Sequence, residues 1–324
     1  MATLKDVATK ANVSPITVSR VINTPEKVKK ETCERVQQVM SSLRYVPNTA
    51  AKNLVTKRSG MIDVFIPENI DLSNPFMMHF IAGISNVLSK RMYSFLILRN
   101  RSKEHFCDGY IVTGLVKHEI YAFQEYAQQH FRPIALFGHT ELSDVDCIDV
   151  DNIVGARRIV EFLIKEGHKR IAMINVSENK DYTQERYIGY VTALQENGLP
   201  LDDALVIVSA NSAEGGRKAA LHLLSTTDCT AIFCATDTMG IGACKAAAEK
   251  GLCIPKDLSL VGFDGLGHHL LATPNLTTVR QPVYEIGEKL AQTLLDRLDG
   301  KEERVRELIE PELIIGNSVT LPGK

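Results

Sequence analysis

The sequence predicts two architectures in one chain: an N-terminal all-α helix-turn-helix domain, then an α/β body of two parallel-sheet subdomains. Residues 4–43 hold three short segments of helical apolar periodicity, separated by turn signals. From Met61 onward, short β-branched runs alternate with amphipathic helical stretches, the rhythm of parallel sheets covered on both faces. Charge is also unevenly placed. Residues 1–60 carry eleven Lys/Arg against four Asp/Glu, a net of +7, so a chain of net charge −2 leaves −9 on the remainder. A basic head on an acidic body is the asymmetry expected when one end meets a polyanion.

Composition narrows the class. With 324 residues, 44% hydrophobic and 23% charged, the chain fits ordinary globular domains and is neither collagen-like nor disordered. No apolar run approaches the eighteen or so residues of a membrane span. Lys5, Asp6 and Lys10 interrupt the N-terminus, which is no secretory h-region. The seven cysteines form no CxxC pair, so reduced thiols in a cytoplasmic protein are expected.

In the head, Thr3 and Asp6 form a capping box that opens the first helix, with Leu4, Val7, Ala8 and Ala11 on its apolar face. Asn12-Val13 breaks it. Ser14-Pro15 starts the second, Ser14 as N-cap and Pro15 at the first helical position, where no amide bond is lost. Val18, Val21 and Ile22 face inward, leaving Ile16, Thr17, Ser19 and Arg20 outside. Asn23-Thr24-Pro25 ends that helix, and a third runs from about Lys30 to Leu43 on Val36, Val39, Met40 and Leu43.

Such a unit suits double-stranded DNA because an α-helix fits the major groove and its first turn reaches base edges. Arg20 can offer a bidentate fork to guanine, and Ile16 can pack on a thymine methyl. Ser14, Thr17 and Ser19 can donate to phosphates at a helix N-terminus. A three-helix protein-interaction module is the competing reading. Beyond Pro47, Asn48 caps a short alanine-rich segment in which Ala51 and Leu54 share a face, apolar enough to wedge between base steps of a minor groove.

Leu4-Lys5-Asp6-Val7-Ala8, Val13-Ser14, Thr17-Val18-Ser19-Arg20-Val21-Ile22-Asn23 and Leu43-Arg44-Tyr45-Val46-Pro47-Asn48 together resemble the lactose/galactose-repressor family of bacterial transcription regulators. The likeness continues to about Pro311. It implies base-reading positions at Pro15, Ile16 and Arg20, further DNA contacts at Thr3, Asn23 and Tyr45, and a hinge-helix lever at Leu54. It implies a helix-turn-helix domain at 1–46, a hinge at 47–59 and an effector-binding, dimerising body at 60–324. That body would be periplasmic-binding-protein-like, its N-subdomain about 60–150 and 283–311, its C-subdomain about 151–282 and 312–324. Lys29 departs from the family, standing where a Ser or Thr usually caps the third helix. Gly316 stands where an arginine is usual.

Strands are predicted at Met61–Pro67, Ser94–Leu98, Gly109–Thr113, Pro133–Phe137, Ile171–Ile174, Ala204–Val208, Ala231–Cys234 and Ser259–Phe263. Helices are predicted at Phe76–Arg91, Glu119–Gln129, Ile153–Gly167, Glu185–Asn197, Gly216–Ser225, Gly240–Lys250 and Val283–Leu298. Some 260 residues favour two sheets with a cleft over one. One stretch fits poorly: about ten residues lie between Leu98 and Gly109, too few for a helical crossover, which leaves that strand order open. Family members commonly carry a helix there.

Ligands of parallel sheets bind beyond the carboxyl ends of the strands. Asn74 and Phe76 follow the first strand, and Asn211, Asp237 and Asp264 follow later ones. Arg186 lies in Glu185-Arg186-Tyr187-Ile188-Gly189-Tyr190, which resembles the family's Arg-x-x-Gly-aromatic signature. The resemblance places these six on the effector cleft, with Arg186 and Asp264 in polar contact with ligand. A guanidinium fork, acceptor carboxylates and an aromatic face suit a polyhydroxylated molecule. Surface pairing of Arg186, core packing of Phe76 and helix capping by the aspartates are the bland alternatives.

Gly262-Phe263-Asp264-Gly265-Leu266-Gly267 and Gly240-Ile241-Gly242 lack nucleotide-loop spacing, and His268-His269 lack ligand partners. No catalytic constellation stands out, and no cofactor is expected. The reading is a repressor with a pseudo-palindromic operator, a small-molecule effector and a homodimeric form, not an enzyme. A solute-binding protein and an α/β sugar or nucleotide enzyme are the alternatives.

Overall fold

The computed structural model describes residues 2–23, 25–45, 58–101 and 105–322. The chain separates into two compact units, 1–59 and 60–324.

The head holds α1 (Leu4–Ala11), α2 (Pro15–Asn23), a 3-10 turn at Pro25–Lys27 and α3 (Lys30–Ser42). The capping box is present: the Thr3 amide donates to Asp6 Oδ2 at 2.7 Å, and the Asp6 amide donates back to Thr3 Oγ1 at 3.3 Å. Asn12 closes α1 in the left-handed region, φ 54°, which Asn tolerates better than most residues. Ser14 Oγ accepts from the Thr17 amide at 3.1 Å and so caps α2. Val7, Ala8, Ala11, Val18, Val21 and Val36 form the buried core, flanked by Ile22, Val39, Met40, Leu43 and Tyr45. The three apolar stripes therefore meet as their periodicity requires.

The body contains β1 (Met61–Phe65), α4 (Pro75–Lys90), β2 (Ser94–Leu98), β3 (Gly109–Thr113), α5 (Lys117–Gln129), β4 (Ile134–Phe137), β5 (Asp146–Val150) and α6 (Asn152–Lys165). Next come β6 (Ile171–Val176), α7 (Asp181–Glu196), β7 (Val206–Ser209), α8 (Ala213–Thr226), β8 (Ala231–Cys234), α9 (Asp237–Glu249) and β9 (Ser259–Val261). The chain then forms β10 (Thr278–Arg280), α10 (Val283–Leu298), β11 (Arg306–Ile309) and β12 (Glu312–Ile314). One parallel sheet runs β11-β5-β4-β3-β1-β2, a second β7-β6-β8-β9, and β10 pairs antiparallel with β12.

Helices α4 and α10 cover one face of the six-stranded sheet through Phe80, Ile84, Leu88, Ile286, Leu290 and Leu294. Helix α5 covers part of the other through Ile120, Phe123 and Ala127. A single larger core, centred on Met173, Ile174, Tyr190, Phe233 and Phe263, holds the four-stranded half. The two halves are joined three times: between β5 and α6, between β10 and α10, and between β11 and β12.

Strands β5, β10 and β11 were not foreseen in the sequence. Asp146 opens β5 inside the fold, where Arg297 Nη2 at 2.8 Å and Arg304 Nη1 at 3.1 Å balance its charge. Long-range pairing of this kind leaves no local mark. The charged β11 is an edge strand, where lysines, arginines and carboxylates discourage further pairing.

The short connection 99–108 steps over β1 to place β2 on the sheet's outer edge, and its described residues form no helix. The face left open is sealed in part by side chains of the connection itself. His105 Nε2 lies 2.7 Å from Oδ1 of the buried Asp63 in β1. Burial pushes the Asp63 carboxyl up, and the His105 and Cys107 contacts partly offset this. Leu96 and Phe106 stay exposed at 43% and 57%, with the Arg132 guanidinium over the Phe106 ring at 4.5 Å.

Lys29 precedes α3 without any side-chain cap, at φ −58° and ψ 136°. Lys29→Ser supplies the missing acceptor, so the head should gain about 1 kcal/mol in denaturant unfolding; an unchanged midpoint would count against this view of the helix start.

Candidate nucleic-acid interface and ligand cleft

Pro15, Ile16 and Arg20 are exposed on α2, Ile16 at 65%, although an isoleucine of this size normally packs inward. Ser14 and Thr17 sit beside them, their hydroxyls 2.9 Å apart, and Ser19 is half-buried. The first two turns of α2 thus present an apolar wedge, hydroxyls and a cation together. Thr3 lies exposed at the start of α1, and its hydroxyl also donates to Asp6 at 2.8 Å. Tyr45 packs its ring against the head core. Asn23 closes α2. Asn48, Ala51 and Leu54 fall outside the described residues.

The second candidate site is built around Arg186. It projects from α7, and Gly189, one turn on, lets that helix approach α6: a Cβ there would lie 2.4 Å from the Ile153 carbonyl oxygen. The close approach puts Arg186 Nε 3.1 Å from Asn152 Oδ1. Nη1 donates to the Ala235 carbonyl at 2.5 Å and lies 3.5 Å from Asp264 Oδ1. The guanidinium lies over the Phe263 ring at 3.8 Å and the Tyr182 ring at 4.9 Å. Arg186 is only 3% exposed. Burial pulls its pKa down, while Asp264 and its other anionic neighbours raise it.

Asp264 follows β9 with φ 126°, a conformation that costs an L residue about 1–3 kcal/mol and persists only when its surroundings enforce it. They do. Its amide donates to the Val279 carbonyl and its carbonyl accepts from the Gln281 amide, both at 2.9 Å. Its Oδ1 also accepts from Gln281 Nε2 at 2.7 Å. A residue in the cleft is therefore bonded to the crossover between β10 and α10.

Asp237 stands behind it, 1% exposed, accepting from Thr278 Oγ1 at 2.6 Å and the Gly265 amide at 2.8 Å. Burial, then the charge of Asp264, push its carboxyl well above the usual range. Burial likewise raises Asp264, with Arg186 opposing. The structure thus brings Arg186, Asp237 and Asp264 into one network, with Asp237 as a support rather than a surface group. Asn211 is exposed, its Oδ1 accepting from Thr236 Oγ1 at 2.9 Å.

On the opposing half, Asn74 caps α4 through the Phe76 amide at 3.0 Å, and the Phe76 ring lies 5.0 Å from Phe137 at the end of β4. Lys180 Nζ reaches across to the Gly114 carbonyl at 2.6 Å.

Sequence reasoning missed Asn152, Asp149, Tyr182 and Gln281. The Asp149 carboxyl, at the carboxyl end of β5, accepts from its neighbour Val150 at 2.8 Å. Burial, then repulsion from Glu185 and Asp181, push it up to about 7. Only the position of Asp149 at a strand end could have flagged it, and β5 itself went unread.

Residues 3–48 match the bacterial regulatory proteins of the lacI family, and residues 160–319 match a periplasmic binding protein-like domain. The uncharacterized HTH-type transcriptional regulator YvdE of Bacillus subtilis is 36% identical over 321 residues, 98% of this chain and 99% of its own. The chain belongs to the lacI family of bacterial regulatory proteins. Among solved structures, a complex of the transcriptional regulator CelR with cellobiose is 29% identical with a TM-score of 0.73, covering 98% of this chain and all of that one. The lac repressor dimer bound to operator and the anti-inducer ONPF is 25% identical with a TM-score of 0.79, covering 98% and 99%. This lacI-family chain is accordingly a DNA-binding transcriptional regulator. No helix among the described residues is long and apolar enough to cross a membrane.

The raised Asp149 gives a signed expectation. Its carboxyl holds a proton more tightly folded than unfolded, so its presence costs stability as pH rises from about 4 to 7. Asp149→Asn should raise the melting temperature of the body by an increment that grows over that window and levels above it; a pH-independent increment would contradict the burial argument.

Proposed function

We propose that this protein is a cytoplasmic repressor that binds a pseudo-palindromic operator as a homodimer and changes its operator affinity when a sugar occupies the body cleft. The observation that carries the DNA side is the Ser14-capped α2 with Pro15, Ile16 and Arg20 exposed on its first turns. Arg20 reads a guanine edge and Ile16 a thymine methyl, while Ser14, Thr17, Ser19 and Thr3 serve phosphates. Asn23 and Tyr45 extend the contact surface, and Asn48, Ala51 and Leu54 form the minor-groove hinge. Dimerisation supplies the second half-site that one small head lacks. Support for this assembly comes from the likeness to the lac repressor dimer on its operator.

On the effector side, Arg186 and Asp264 hold ligand hydroxyls, Phe76 covers an apolar ring face, and Asn74 and Asn211 close the rim, with Asp237 beneath. The likeness to the CelR–cellobiose complex supports a sugar. The proposed mechanism is a population shift: ligand hydroxyls compete for Asp264, loosen its bond to Gln281 and bias the crossover at 281–282, and the altered subdomain angle changes the spacing of the paired hinges.

A mobility-shift titration on operators selected from random duplexes tests the DNA reading. Arg20→Ala should weaken the selected site about 10- to 100-fold and relax its preference at one base pair. Indifference of the purified chain to every duplex across salt concentrations would refute it. On the effector side, Arg186→Ala should abolish the ligand response while operator binding persists.

A further inference from the structure

We propose that the cleft selects an uncharged polyhydroxylated ligand, an unphosphorylated sugar or glycoside, and rejects the phosphorylated form of the same sugar. This rests on the reading of the cleft as the effector site and goes beyond it by naming the ligand's charge.

The first support is the geometry of Arg186. Phosphate recognition by arginine uses two parallel N–H donors on one edge of the guanidinium. Here Nε is engaged by Asn152 and Nη1 by the Ala235 carbonyl, with the Phe263 and Tyr182 rings 3.8 Å and 4.9 Å from the guanidinium. Nη2 shares its edge with an Nη1 already held by Ala235 and faced by Asp264 at 3.5 Å, an arrangement that suits a hydroxyl better than a bidentate phosphate. Asp264, 3.5 Å from Nη1, already offsets the positive charge.

Lys180 and four helix N-termini at the strand ends are also engaged. Lys180 donates to the Gly114 carbonyl across the cleft. Helices α4, α6, α8 and α9 begin near strand ends, where a phosphate could use their N-termini. Each already carries its own acceptor: Asn74 for the Phe76 amide, Asp151 for Val154, Ser212 for Gly215 and Thr236 for Met239. Asp181 occupies the first turn of α7.

The wall beside Arg186 is acidic. Asp149 comes from the six-stranded half, Asp181 and Glu185 from α7, and they interact strongly enough to push Asp149 and Glu185 up after burial. Glu185 accepts from Asn152 Nδ2 at 2.9 Å. Asp149 Oδ1 accepts from the neighbouring Val150 amide, and a carboxyl with one such bond retains lone pairs for a ligand hydroxyl. A dianionic phosphate would add a further anion beside carboxyls that already resist ionisation in a poorly screened space. Neutral hydroxyls would instead find acceptors there.

The test pairs each free sugar with its phosphate on the purified full-length protein: glucose and glucose 6-phosphate, fructose and fructose 1-phosphate, ribose and ribose 5-phosphate, trehalose and trehalose 6-phosphate, with cellobiose alone. Binding is read by calorimetry and by melting temperature, since a cleft ligand raises the latter. In every pair that responds, the free sugar should bind at least about 10-fold more tightly. A phosphorylated member that binds as tightly or better overturns the inference and leaves the sugar-responsive reading standing. Silence of the whole panel, with operator binding also unmoved, overturns the sugar reading and this inference with it. The double variant Asp149→Asn, Glu185→Gln should cut the discrimination by about 5-fold or more; unchanged discrimination in a folded variant would contradict the role of the acidic wall.

Discussion

A guanidinium removed from water survives in a fold only where charge and hydrogen-bonding capacity are both answered. Around Arg186 the answers come from four elements: Asn152 at the start of α6, the Ala235 carbonyl after β8, Asp264 after β9, and the rings of Phe263 and Tyr182. Gly189 permits the approach of α7 that makes the first bond possible. Asp264 is in turn held at a costly backbone angle by β10 and Gln281. The cleft floor and one of the three crossovers therefore share a residue. On the proposed reading, a ligand that bonds Asp264 would act on that crossover directly.

The head shows how a local code can be nearly complete. Thr3 with Asp6, Ser14 with Pro15, and apolar residues three and four apart act within one or two helical turns, so capping and core were legible without tertiary information. Asp237 and Asp264 were flagged for a different reason, because strand ends in alternating α/β sequences mark where ligands bind, and Arg186 through its resemblance to the family's Arg-x-x-Gly-aromatic signature. What escaped was long-range. β5 carries two aspartates, and Arg297, Arg304 and the Val305 amide, some 150 residues away, make Asp146 tolerable inside. Asp149 at the other end of that strand was lost with it. Asp237 was read as a ligand-facing carboxylate, but its oxygens serve Thr278 and Gly265, contacts no spacing rule could supply.

The connection 99–108 shows how side chains can protect a strand where no helix forms among the described residues. A ten-residue step over β1 leaves Leu96 and Phe106 in solvent, yet the central strand stays protected because His105 reaches Asp63 and because Cys107 and Tyr110 close beside it. The sheet's opposite face, packed by α4 and α10, carries most of the apolar burial on which that half depends.

The central claim is that Arg186 and Asp264 act as one buried unit. A double-mutant cycle with Arg186→Gln and Asp264→Asn, read as the unfolding free energy of the body, tests it most directly. Each single change leaves an uncompensated charge and should be more damaging than its share of the double change, giving a coupling of about 1.5 kcal/mol or more. Additivity within about 0.5 kcal/mol would mean the two groups are merely neighbours, and the account of one buried unit would fall with it.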